Sequence, residues 1–483
     1  MANPDRLTGL DASFLALEDS GAHMHVGSCL LFEGPAPPYD DFVEQLESRL
    51  HLVPRYRQRL AFPPLAQARP VWIDDPHFNP GYHVRHTALP EPASLEQLRN
   101  LTGRVLAQRL DRTKPLWELW LVDKVEGDRF AVISKTHHCL VDGVSGVDIA
   151  TVLFDAEPDP APPPEAPPPW FPRPEPSSAA LVADALAERA SAPLELARVA
   201  GEVIARPEHA FEQLGRALGG LGAMLSAGLQ GAPVSPYNVP IGPHRRFAWV
   251  DSDLAHFKAI KSALGGTVND VVLAAVTGAL RTHMLANGHD VDDLELKAMV
   301  PMSVRLEAER GALGNRVTAM YAPLPVGAAE PLERFRIVHE AMAGLKESGQ
   351  AVGAELITQL AGFAPPTVLA QAARLGSLQR VFNLTVTNVP GPQFPLYMLG
   401  KRLERIYPQV PLAGNTALGI AIMSYDGTIS FGLLADFDAI PDLDDLAAAL
   451  RDAIAELAAA AGVPAANGRV SPADAKPRTP ARR

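Results

Sequence analysis

Polar and apolar positions alternate with a period of two through RFAVISKTHH, residues 129 to 138. Phe130, Val132, Ser134, Thr136 and His138 fall on one face, and Ala131, Ile133, Lys135 and His137 on the other. That alternation predicts a strand. Gly143 breaks it, and VSGVDIATVLFD then carries apolar residues at helical spacing, so the stretch reads as strand, turn and helix. Further on, RRFAWVDSD, KAMVPMSVR and VTAMYAPLPV predict strands. TVNDVVLAAVTGALRTHML predicts a long apolar helix with Thr267 as its N-cap, and PLERFRIVHEAMAGLKESG another helix. LGIAIMSYDGTISFGLLAD predicts a hairpin turning at Asp426-Gly427, and PDLDDLAAALRDAIAELAAAAG a closing helix.

Between these two sets of elements, EPDPAPPPEAPPPWFPRPEPSS (157–178) is too rich in proline for helix or sheet and predicts a stiff, solvated linker. The expected organisation is an N-terminal lobe over 1–156, the linker over 157–178, a helical segment and C-terminal lobe over 179–465, and a disordered tail over 466–483. Within the helical segment, ALGGLGAMLSAGLQG (217–231) has no charged residue. It is too short and glycine-rich to span a bilayer, so it reads as a helix packed on the core, with a membrane-surface or lipid-tunnel position as the alternative.

A length of 483 residues exceeds what one core usually sustains, which agrees with two lobes. Hydrophobic residues make up 47% and charged residues 20%, so disorder throughout is excluded. The formal net charge of -12 repels nucleic acid, and no nucleic-acid partner is expected. With only Cys29 and Cys139, no signal-peptide pattern at the start and no apolar run of spanning length, the chain reads as cytoplasmic.

The candidate chemistry lies at HHCLVDG, residues 137 to 143. Adjacent histidines at a strand end leave on opposite faces and cannot chelate one ion together; no second Cys/His cluster completes a set, so no metal is expected. A neutral imidazole can take a proton from an alcohol near neutral pH. One histidine would then face a substrate while the other packs inward, although parity alone does not say which. Asp142 would fix the loop or the tautomer, and Gly143 permits a tight turn. Two purely structural histidines are the competing reading. Cys139 reads as a small packing residue rather than a nucleophile.

HHCLVDG fits the HHxxxDG signature of the acyl-CoA-dependent acyltransferase superfamily. Further stretches narrow the resemblance: LDASFLALED, MHVG, PLWE at Pro115–Glu118, NVPIGPHRRFA, TVNDVVLAA, VPMSVR with GNR, TNVPGP and SYDG. In this order, from about residue 5 to 460, the chain resembles the bacterial wax ester synthase/acyl-CoA:diacylglycerol acyltransferase family. It departs at Cys139, where alanine is frequent, and in its longer proline-rich segment.

The resemblance implies an α/β (α+β), two-lobed fold like that of chloramphenicol acetyltransferase, with mixed sheets backed by helices and a tunnel between the lobes. It implies transfer of a long acyl chain from acyl-CoA to diacylglycerol or a long-chain alcohol, with no cofactor, acyl-CoA being a substrate. His138 would be the general base, His137 a support, and Asp142 a structural residue paired with Arg305. Asn269, Asp270 and Asn388 would lie at the substrate or oxyanion, with Arg245 and Arg246 as candidates for CoA phosphates. Pro115, Leu116 and Trp117 read as core or tunnel wall. Peripheral contact with the inner membrane face or lipid inclusions follows from such substrates. Rival readings are a condensation-type enzyme using carrier-bound acyl groups and a catalytically silent lipid-inclusion coat protein.

Overall fold

The computed structural model describes residues 5–64, 68–140, 154–160, 169–184, 186–187, 231–303, 317–347 and 380–465. In chain order its helices include α1 (Gly9–Leu17), α2 (Tyr39–Arg49), α3 (Pro80–His83), α4 (Leu95–Ala107), α5 (Leu254–Leu264), α6 (Val268–Ala286), α7 (Pro331–Glu347) and α8 (Leu443–Ala460). The strands are β1 (His25–Glu33), β2 (Gln58–Ala61), β3 (Val71–Asp74), β4 (Val84–Thr87), β5 (Trp117–Val125), β6 (Arg129–His137), β7 (Arg245–Asp253), β8 (Leu296–Ser303), β9 (Val317–Leu324), β10 (Leu384–Pro390), β11 (Tyr397–Met398), β12 (Lys401–Gln409), β13 (Leu418–Tyr425) and β14 (Thr428–Asp436).

Two six-stranded mixed sheets organise the molecule, ordered β11-β12-β1-β6-β5-β4 and β7-β14-β13-β10-β8-β9. Strand β6 lies inside the first sheet, antiparallel to both β1 and β5, and from Phe130 to His137 it is buried on both faces. The alternation read from the sequence separates two cores. Phe130 and Val132 join Leu30, Phe32, Phe42 and Leu46 on one side. Ala131 and Ile133 face Leu98, Val105 and Leu106 of α4 on the other, together with Phe247 and Trp249 of the second sheet. Helix α4 forms where Ser94 and Gln97 make a reciprocal capping box, which satisfies two otherwise orphaned backbone donors.

The sheets do not divide the chain at the proline-rich segment as expected. Strand β12, from the C-terminal half, crosses over and pairs with β1 along Gly27–Phe32. The crossover also seals the lobes together: Tyr407 stacks on Trp249 with ring centroids 4.2 Å apart and donates its hydroxyl to Asp251 at 2.9 Å. Gly432 lies so close to the Pro408 carbonyl that a methyl group there would collide with it. Helix α4 also comes near, through Gly103 against the main chain of Arg245.

The described part of the proline-rich segment is not a free linker either. It runs along the β2–β3 hairpin, where Arg173 pairs with Asp74 at 3.2 Å, Arg59 with Glu175 at 2.8 Å, and Arg57 lies 4.6 Å over the Trp170 ring. Leu181 packs on Ala61, Val71 and Ile73. The segment and hairpin enclose a cavity of about 370 Å³, lined in part by Trp72, Arg173 and Leu181. The proline spacing showed an extended conformation but not the arginine partners that hold it down.

The second sheet is backed by α5, α6, α7 and α8 around one large apolar core. Its hairpin turns where expected, with Asp426 and Gly427 both at positive φ. No single described helix is long and apolar enough to cross a membrane. The charge-free stretch 217–230, the helix expected after Gly143 and the tail 466–483 lie outside the described residues.

Candidate active site

The histidine pair stands at the open end of β6. The His137 N–H donates to the Leu116 carbonyl at 2.9 Å, and the His138 N–H to the Met24 carbonyl at 2.7 Å. The strand is therefore held on both sides to its last residue before the chain turns, with the Leu140 N–H closing back on His137 at 2.9 Å. The neighbouring PLWE stretch is core: Leu116 and Trp117 are fully buried, and the Trp117 indole donates to the Tyr56 carbonyl at 2.8 Å.

His137 points inward. Its Nδ1 accepts from the Cys139 N–H at 3.1 Å, so the proton of the neutral ring resides on Nε2, which faces the Glu18 carboxylate at 3.6 Å. Burial holds His137 below the usual histidine pKa despite that carboxylate. Burial opposes ionisation of Glu18 as well, but hydrogen bonding to His137 and Arg112, with the Arg112 charge, outweighs it and holds the carboxyl well below its ordinary range. Arg112 Nε donates to Glu18 at 2.8 Å, and Nη2 makes a second, shorter contact. Arg109 approaches the other oxygen at 3.4 Å. His25, directly opposite His137 across β1 and β6, stands with its ring 6.0 Å away and is also kept neutral by burial.

His138 leaves the strand in the other direction. Its ring stacks on Phe14 of α1 with centroids 4.0 Å apart and planes at 24°. Nδ1 is buried with no hydrogen-bond partner among the described residues. Burial pulls the pKa down to about 4, against a small opposing effect of the residue's own main chain. The ring is thus neutral, and able to accept a proton, at any physiological pH.

Asn269 and Asn388, 119 residues apart, are brought together with an Nδ2–Oδ1 separation of 3.5 Å. Asn269 occupies the first turn of α6, where backbone N–H groups and the helix dipole favour negative charge. Asn388 lies in the second half of β10, which runs parallel to β13; from β13, Met423 and Tyr425 pack into the apolar cluster that holds Cys139 and Leu140.

Three of the expected residues have partners within the chain. Asp270 is buried: its carboxylate accepts from the Thr267 N–H at 2.8 Å, completing a capping box, and contacts His339 Nδ1 at 2.9 Å. Arg245 is buried, not offered to a phosphate: it donates to the carbonyls of Gly242 at 2.7 Å, His244 at 2.8 Å and Gly21, tying the lobes. Arg246 donates to the Phe437 carbonyl at 2.9 Å and covers the Phe437 ring at 3.8 Å. Asp142, Gly143 and Arg305 lie outside the described residues. Cys139 is buried, and that burial pushes its thiol pKa far up, disfavouring the thiolate. Among the described residues no group of three or more His, Cys, Asp or Glu is arranged to hold a metal.

Sequence reasoning did not single out Glu18, Phe14 or His25. The signal was present, since LDASFLALED and MHVG contain them, but nothing local links residue 18 to residue 137.

Residues 7–272 match the family model described as wax ester synthase/diacylglycerol acyltransferase catalytic domain, and residues 313–458 that of the WS/DGAT C-terminal domain. A probable diacylglycerol O-acyltransferase of Mycobacterium tuberculosis is 32% identical over 465 residues, spanning 94% of this chain and 96% of that protein. A second from the same species is 33% identical over 467 residues, spanning 94% and 98%. The solved wax ester synthase/diacylglycerol acyltransferase of Marinobacter aquaeolei VT8 is 29% identical with a TM-score of 0.65, covering 95% of this chain and all of that one. The first condensation domain of the CDA synthetase shares the fold at 18% identity and a TM-score of 0.55, covering 95% and 96%.

Proposed function

The chain belongs to the wax ester synthase/diacylglycerol acyltransferase family and is an acyltransferase; from that premise we propose that it moves a long acyl chain from acyl-CoA to diacylglycerol, a long-chain alcohol, or both. The observation that carries the reading is His138, a neutral imidazole at the end of a fully paired central strand, stacked on an aromatic ring.

In this mechanism His138 takes the hydroxyl proton as the alcohol oxygen attacks the thioester carbonyl. The tetrahedral intermediate collapses with cleavage of the C–S bond, and the proton passes from His138 to the departing CoA thiolate. No acyl-enzyme forms. Positioned proton transfer of this kind contributes roughly 10²- to 10⁴-fold. The amide of Asn388 and the first turn of α6, which carries Asn269, are the described donors suited to the oxyanion, a part of the mechanism that belongs to this proposal. His137, locked as the Nε2–H tautomer between Cys139 and Glu18, would hold the strand end and leave His138 as the reacting ring.

The test is thiol release from palmitoyl-CoA with diacylglycerol or hexadecanol as acceptor, comparing the purified protein with His138→Ala. The expected result is turnover with at least one acceptor and a loss of at least roughly 100-fold in the variant at unchanged thermal stability. Retention of most activity by the variant would remove His138 as base. Turnover confined to carrier-bound acyl donors would replace this donor assignment with a condensation-type one.

A further inference from the structure

Helix α1 presents one face to the histidine turn. Phe14, Leu15 and Glu18 lie three, four and seven positions after Asp11, the spacing of one helical stripe that runs from the first turn of α1 to its C-cap, Glu18. The Asp11 charge is felt at the Cys139 thiol, Phe14 stacks on His138, and Glu18 faces His137. Thr8 caps this helix by accepting from the Asp11 N–H at 3.1 Å. The helix therefore bears on three successive residues of the turn.

A catalytic imidazole needs its ring plane set as well as its backbone. In many sites a carboxylate or carbonyl on Nδ1 does so. Here the His138 backbone is held by Met24, but Nδ1 is buried with no hydrogen-bond partner among the described residues. The contact that constrains rotation about the ring's own axis is the flat face of Phe14 at 4.0 Å and 24°.

We propose that Phe14 is a positioning residue for His138, setting the plane in which the imidazole meets the acceptor hydroxyl. This rests on His138 being the base. Stacking is suited to the task because a ring that must accept and release a proton in each turnover keeps the same apolar support in both states, whereas a carboxylate on Nδ1 would raise its basicity. The Phe14 ring also keeps water from one face of the imidazole. Among the described residues, the titratable and charged groups around the turn are Asp11 from α1, Glu18 at its C-cap, His25 from β1, His137 from β6 and Arg112 from the segment after α4; Glu18 is already engaged by Arg112 and His137. Removing Phe14 therefore exposes His138 to water without giving it a new partner among the described residues, and its pKa should rise from about 4 toward 6.5.

The experiment compares the wild type with Phe14→Ala, Phe14→Leu, Phe14→Tyr and His138→Ala, in kcat, KM for palmitoyl-CoA and the pH profile of kcat/KM, with folding followed by thermal unfolding. Phe14→Ala is expected to lower kcat roughly 10- to 100-fold while KM changes by less than about threefold. The acid limb of its profile should move to higher pH. Phe14→Leu keeps the bulk but not the flat face and should lose kcat without unfolding; Phe14→Tyr should restore both kcat and the acid limb. A change in KM alone, with kcat and the acid limb unmoved, would make Phe14 a wall of the substrate site and overturn the proposal. An active His138→Ala would overturn the assignment of the base, and the proposal with it, whatever the Phe14 variants do.

Discussion

Replacing Glu18 by glutamine tests whether its charge, and not its bulk, holds the inner histidine. The carboxylate side chain is 2% exposed and is shared by Arg112 and His137. Removing one partner of a buried ion pair costs roughly 3–5 kcal/mol. Two features reduce that figure: the Arg112 side chain is 34% exposed, and glutamine keeps one acceptor oxygen. A loss of about 2 kcal/mol is expected on those grounds. With an unfolding entropy of about 2 cal/mol/K per residue, a chain of 483 residues has close to 1 kcal/mol/K, so Tm should fall by only about 2 °C. A double-mutant cycle is therefore the sharper assay. Glu18→Gln and Arg112→Met, measured singly and together by denaturant unfolding near pH 7.5, should show a coupling of about 1–2 kcal/mol. The sign with pH follows from the depressed carboxyl: the native state keeps Glu18 ionised where the unfolded state protonates it. The contribution is complete above about pH 4.5 and is lost as pH falls below that value. The gap between wild type and variant should thus be level from pH 8 to 5 and close below. Additive single effects, or a gap that persists unchanged into acid, would refute the assignment of an ionised Glu18 at the hub.

Two more predictions concern the same architecture. His23, His25, His137 and His138 are all held neutral by burial. The unfolded chain binds their protons first, so stability should be full above about pH 6.5 and fall as pH drops toward 4. His138 alone accounts for a loss of about 3 kcal/mol over that window; a denaturant midpoint that stays flat from pH 7 to 5 would contradict it. Gly432→Ala should force β14 away from the Pro408 carbonyl and lower stability by about 1–3 kcal/mol, with quenching of Trp249 fluorescence altered as its stack on Tyr407 loosens. An unperturbed variant would mean that the lobes are joined elsewhere.

Much of the local structure was legible because it depends on neighbours in sequence. The period of two over 129–137 placed β6 and divided its faces correctly, Thr267 capped α6, and Asp426-Gly427 turned the last hairpin. The divergence of the two histidines was legible for the same reason: their side chains part at a strand end, and strand geometry requires that. The partners of Asp270 and Arg245 were not legible, because a carboxylate in a helix's first turn and an arginine at a strand start have several uses, and which prevails depends on what packs against them.

From the sequence alone came the two lobes, the strand that carries His137 and His138, and the chemical potential of a neutral imidazole, all of them consequences of periodicity and side-chain type. Tertiary structure alone decided that β12 crosses into the first sheet, that Arg112 and Glu18 converge on His137, and that Phe14 lies flat on His138. These contacts join residues separated by about 90 to more than 380 positions. Their formation depends on how whole sheets stack, and no local pattern encodes that.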